Sequence, residues 1–338
     1  MKNIFALIVM LLVISSCEKN DDKDDKDTGS SFTEKTVSMG QDSNHDVYYS
    51  LSDGLVNSID RSEWDIAFSV PLQSATILIN EGAGVELYCV GDTNFWSSID
   101  ENTITGLKPR YNDETDWEKG AFNVNAKGFP NYGWGTYHAG NPDHNVGGDS
   151  AYVLKLSDGS FKKFMVRKKT GTTSANEFLW ADLNGENQMS ASLSTAPYAD
   201  KKHFVHYSLV SGEKVEAEPD MTKWDLLFTR YVIRIPVGPA QFMDYPVMGV
   251  LSNPDVRVAK ITEIAPDDVK LTDAEFSERP DIIGNDWKIS DPVTHEITLA
   301  ENTSYMIESV DGKNYLLYFT EYGGNANGTI KFKLKTIE

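Results

Sequence analysis

The side chains of this 338-residue chain that could ligate a metal or act as a soft nucleophile are few: two cysteines, six histidines and nine methionines. A loop imidazole can ligate a metal ion or iron. His138 and His144 share the glycine-rich stretch 133–148, and His295 lies in the polar stretch 290–296. His45 and His203 each stand four residues before a tyrosine, Tyr49 and Tyr207, which suggests a shared structural job. His206 completes the set, and taken singly each imidazole is read as solvated. The spacings that carry catalysis are absent from the sequence. It has no Gly-x-Ser-x-Gly elbow, His-Glu-x-x-His, Cys-x-x-Cys, phosphate loop or dinucleotide fingerprint. Carboxylates are plentiful, but a glycosidase pair is set by separation in space and leaves no sequence rule. The expectation is a binding protein and not an enzyme.

The cysteines divide by position. Lys2 and the uncharged apolar run 4–14 form a signal-peptide pattern, too short to span a bilayer comfortably. The run ends in Ile14-Ser15-Ser16-Cys17, which resembles a bacterial lipobox and marks Cys17 as the thiol that takes up lipid. Residues 18–27 alternate acids with lysines and hold no aromatic or branched apolar residue, so they predict a disordered tether. An acid-rich stretch after the cysteine also resembles the signal that exports Bacteroidota lipoproteins to the outer face of the outer membrane. Cys89, the other thiol, can make no internal disulfide with a lipidated partner; its apolar surroundings, 85–90, read as a small buried hydrophobe. The net charge of −20 disfavours nucleic acid and anionic lipid surfaces as partners and keeps an exposed protein soluble.

The elements that must position these side chains are predicted to be strands. Val47–Leu51, Trp64–Val70, Ala75–Ile79, Tyr152–Leu156, Trp224–Ile235, Tyr305–Val310 and Tyr315–Thr320 are short runs of branched and aromatic residues. Asp158-Gly159 and Asp311-Gly312 are tight-turn signals, because these residues tolerate positive φ. Helical pattern is scarce, with 265–276 the best short candidate. The fold class is all-β, as two tandem antiparallel domains.

The tandem reading rests on an internal repeat. His45 to Gly54 followed by Trp64-Asp65-Ile66-Ala67-Phe68 matches His203 to Gly212 followed by Trp224-Asp225-Leu226-Leu227-Phe228. Tyr152 to Gly159 matches Tyr305 to Gly312. The expected division is 1–16 signal peptide, 17–31 tether, and repeats over 32–193 and 194–338, joined near 193–200. Residues two apart on a strand share a face, so Trp64, Ile66 and Phe68, and likewise Trp224, Leu226 and Phe228, are expected to face the core. Asp65 and Asp225 would face away and accept hydrogen bonds from loop backbone.

The second repeat resembles the HmuY family of haem-binding Bacteroidota lipoproteins. The resemblance is carried by Tyr207-Ser208-Leu209, by Trp224-Asp225-Leu226-Leu227-Phe228-Thr229-Arg230-Tyr231, by Tyr245 to Pro254, by Tyr305 to Gly312 and by Phe319-Thr320-Glu321-Tyr322. The first repeat resembles it more faintly. The resemblance implies an all-β fold, haem capture outside the cell, two axial His or Met ligands on loops, and handover to an outer-membrane TonB-type receptor. On that footing the stretch 236–254, with Phe242, Met243, Tyr245 and Met248, is expected to be a haem-lining loop. Met243 or Met248 with His295 is the expected axial pair, and His138 and His144 are the fallback. The alternative function is a surface adhesin, or a glycan- or peptide-binding module, that stacks its ligand on the aromatic stretch 134–137.

Overall fold

Strands account for the regular structure, as the alternating sequence predicts. The structure, a computed structural model, describes residues 31–337 apart from Pro292, Val293 and His295. Cys17 and the acidic stretch 18–27 lie outside the described residues. Antiparallel strands from Thr33–Ser38 to Thr329–Ile337 are joined by short 3-10 turns, with no α-helix among the described residues. The expected helix over 265–276 is instead two such turns, Pro266–Asp268 and Leu271–Asp273. Val269 and Lys270 between them are extended. Val269, Ala274 and Phe276 reach a small core around Ile261, Met306 and Leu316 without needing a helical period.

Two large cores organise the strands. The first is built wholly from residues between Ile66 and Leu209. The second combines Val37, Met39, Val47, Tyr49 and Leu51 with residues from Leu226 to Leu334. The division expected at 193/194 therefore does not separate the cores, and it falls inside the strand Met189–Ser194. Each repeat instead lends its opening strands to the other. Strand His45–Ser50 pairs with Leu226–Gly238, with Tyr49 opposite Leu226 and Val47 opposite Phe228. Strand Phe204–Ser208 pairs with Ile66–Ser69, with Tyr207 opposite Ile66 and Val205 opposite Phe68. The two registers are the same under the repeat.

The chain crosses between cores at 60–65 and 220–225, and both crossings are built alike. Asp60 caps a 3-10 turn by accepting the Ser62 amide, as Asp220 accepts that of Thr222. Asn80 donates to the carbonyls of Arg61 and Trp64, and Asn253 to those of Met221 and Trp224. Beyond each turn, the carboxylate of Asp65 accepts the Leu209 amide at 2.6 Å, and that of Asp225 accepts the amides of Leu51 (2.7 Å) and Val310 (2.9 Å). The expected role of these aspartates is what the structure shows.

The tryptophans depart from the expected face. The chain bends at Asp65 and Asp225, so the alternation of the following strand does not extend back to them. Ile66 and Phe68 enter the first core, and Leu226 and Phe228 the second. Trp64 instead meets His206 edge-on at 4.6 Å, and Trp224 meets Tyr48 at 5.0 Å. Both rings line a cavity of about 80 Å³ with Glu81, Trp117 and Glu218.

Candidate functional site

Among the described residues, size excludes one concavity and leaves three, of about 660, 520 and 450 Å³, and the first of these has the most apolar lining. The cavity at the crossings, at about 80 Å³, is well below the roughly 300 Å³ at which small-molecule pockets begin. An open cleft of about 660 Å³ beside the first core lies within that range. Its walls are the 72–75 turn, Phe129, Tyr132, Tyr137, His144, Val146, Lys169 and the 171–174 turn.

Sheet register places three of these side chains side by side. Strand Gly135–Tyr137 pairs with Val146–Gly148, which pairs with Phe161–Thr170. Tyr137 is opposite Val146, and Val146 is opposite Lys169. Directly opposed residues project to one face, so a phenol, a buried isopropyl group and an ammonium form one row across the cleft. Phe129 adds an exposed ring, 5.3 Å from that of Tyr137 and tilted by 40°.

His144 closes the row's outer end. Its Nδ1 lies 2.8 Å from the Tyr137 hydroxyl. The two ring planes are parallel within 5°, with centroids 6.4 Å apart. The loop holding His144 is pinned by the amides of Gly171 and Thr172, both donating to the Asp143 carbonyl. A β-carbon on Gly171 would stand 2.7 Å from the His144 carbonyl oxygen, so glycine is what lets this turn close. His144 itself has φ +51°, in the left-handed region that histidine and asparagine enter more readily than most residues with a β-carbon.

Lys169 forms the floor. Its side chain is buried and its ammonium donates to the carbonyls of Ser74 and Pro71. Burial pushes its pKa down to about 8, against a weaker opposing pull from Glu118. A bound anionic group here would meet a desolvated positive charge.

The residues expected to hold a ligand in the second repeat are not drawn together in this way. The stretch 236–254 is not a loop. It belongs to a long hairpin, Leu226–Gly238 and Gln241–Ser252, whose outer half projects with Val237, Phe242, Met243 and Tyr245 exposed. Its prolines suggested a loop; Pro246 lies on an edge strand and Pro236 beside a register shift near the tip, places where a sheet tolerates proline. Met243 is opposite Ile235 and Met248 opposite Arg230. Five residues apart on a strand, they face opposite sides, about 17 Å from each other. Met248 is 4% exposed and packs in the second core, where it fills space as methionine commonly does. His295 lies outside the described residues.

In the first repeat the outcome is divided. His144 is in the cleft, whereas the ring of His138 lies over Gly147, outside the lining. Within the aromatic stretch 134–137, Trp134 is fully buried with its indole N–H donating to the Ala75 carbonyl, so it offers no stacking surface. Tyr137 does. Cys89 is half-buried against the first core. No motif marks Lys169 or the pairing of Tyr137 with His144; the turn residues Asn141-Pro142-Asp143 between those two are the sequence signal that bears on it. Among the described residues no cluster of three or more His, Cys, Asp or Glu side chains is placed to hold a free metal ion.

No family model and no curated protein matches the chain. Among solved structures, it is similar to one from Bacteroides vulgatus described as an HmuY-like haem-binding protein, with 14% identity, 48% of this chain and 92% of that chain covered, and a TM-score of 0.17.

Proposed function

We propose that this chain is a non-enzymatic carrier that captures haem in the cleft beside the first core. The observation that carries the reading is the cleft itself: about 660 Å³, with aromatic rings on one side and a buried ammonium on its floor. Haem is a flat, largely apolar ring with carboxylates along one edge. The rings of Phe129 and Tyr132 suit the porphyrin face, and Lys169 suits a carboxylate. An iron porphyrin brings its own four nitrogens, so it needs no three-residue metal cluster from the protein. The resemblance of the second repeat to HmuY proteins supports the same ligand while pointing to a different part of the chain. Display at the cell surface through lipid on Cys17, and handover to an outer-membrane receptor, complete the proposal. Cys17→Ala should release the protein from the membrane fraction, and retention there with lipid label would place the anchor elsewhere.

The test of the cleft is a haemin titration followed in the Soret region. Wild type should show a saturable shifted band. Phe129→Ala should weaken binding about tenfold, as the loss of about 1.4 kcal/mol of aromatic contact and burial would. Met243→Ala should bind as wild type does. No saturable band in wild type would end the haem reading. Weakening by Met243→Ala with Phe129→Ala unaffected would move the site to the projecting hairpin. Competition by glycans would favour the adhesin reading, which rests on the same exposed rings.

A further inference from the structure

Resting on that reading of the cleft, we propose that Tyr137 is the protein's ligand to the haem iron and that His144 is the group that makes it one. A phenol is a poor ligand while it keeps its proton. Here the Tyr137 hydroxyl lies 2.8 Å from Nδ1 of His144, a hydrogen bond along which that proton can be handed over. As the oxygen–iron bond forms, the phenol proton passes to Nδ1 of His144, and the water or chloride that the ferric iron carried in solution leaves. Tyrosinate is among the ligands that hold haem iron in proteins. It is anionic and hard, so the site would select ferric over ferrous haem.

The backbone around the pair holds it in place. His144 is held at φ +51°. The loop is also clamped through Asp143 to the 171–172 turn, so His144 is fixed relative to the strand that carries Tyr137. Tyr137 is half-buried beside Phe129, whose exposed ring can flank a porphyrin lying over the phenol oxygen.

The experiment compares haemin with iron-free protoporphyrin IX on wild type, Tyr137→Phe and His144→Asn, the last chosen because asparagine tolerates positive φ. Wild type with haemin should show phenolate vibrations in resonance Raman. Tyr137→Phe should abolish them and weaken haemin about tenfold or more, while protoporphyrin affinity stays unchanged. His144→Asn should weaken haemin by about tenfold, the usual effect of removing a group that supports a ligand. If Tyr137→Phe keeps the wild-type haemin spectrum and affinity, the ligand assignment is wrong and the cleft reading stands. If wild type binds neither haemin nor protoporphyrin, the cleft reading itself fails.

Discussion

His206 shows how one side chain can couple the fold to acidity. Its ring is buried against Trp64, and burial pushes its pKa down to about 3, with Lys202 adding to the effect. The unfolded chain binds the same proton at about pH 6.5. The stabilising contribution of neutral His206 is therefore complete above pH 6.5 and is lost as pH falls from there toward 3. At about 1.4 kcal/mol per pH unit, the loss from pH 7 to pH 5 is about 2 kcal/mol. His206→Phe keeps a ring on Trp64 and removes the titration. Denaturant unfolding at the two pH values should show the wild type losing about 2 kcal/mol more than the variant. Equal pH dependence in both would mean that the imidazole is not held neutral. In the sequence His206 was one histidine among six. Its burial follows from its position opposite Ala67 in a sheet that the repeats build jointly, and no local pattern encodes that.

At the scale of elements, the sequence was most legible where a residue type answers a local need. Asp158-Gly159 and Asp311-Gly312 turn the expected hairpins, with Gly159 at φ +83° and Gly312 at φ +78°. The strands fell where branched and aromatic residues cluster. The hairpin over 226–252 was misread in part because its outer half is exposed on both faces and carries prolines. The role of the paired aspartates was legible, since a carboxylate that ends a half-buried strand must find donors. Asp225→Ala tests its weight. It leaves the buried amide of Leu51 and the half-buried amide of Val310 without their acceptor, at a cost of about 2–4 kcal/mol. Urea unfolding should register that loss, and a change below about 1 kcal/mol would show that the amides find other partners. Burial raises the Asp225 pKa and its backbone hydrogen bonds oppose the rise, as for Asp65.

At the scale of the whole molecule, the repeat was legible and its assembly was not. The matched segments occupy matched places, down to Tyr49 opposite Leu226 and Tyr207 opposite Ile66. Sequence similarity shows which segments correspond; it does not show whether a strand pairs within its own repeat or with the other. The candidate site was half legible for a related reason. Tyr137 and His144 were singled out separately, and a short hairpin brought them together with Lys169. The exchange of opening strands makes a definite prediction. Residues 66–215 contain the whole first core, whereas 194–338 lacks the second core's Val37, Met39, Val47, Tyr49 and Leu51. Expressed alone, 66–215 should unfold cooperatively and give dispersed amide resonances, and 194–338 should do neither. A well-folded 194–338 fragment would contradict the exchange.

Hydrogen exchange read by mass spectrometry, with and without haemin, shows whether ligand enters the cleft beside the first core. Exchange should slow in 129–146 and 169–174, the segments that wall the cleft, and stay unchanged in 236–248 on the projecting hairpin. Protection confined to 236–248, or no protection at saturating haemin, would contradict binding in the cleft.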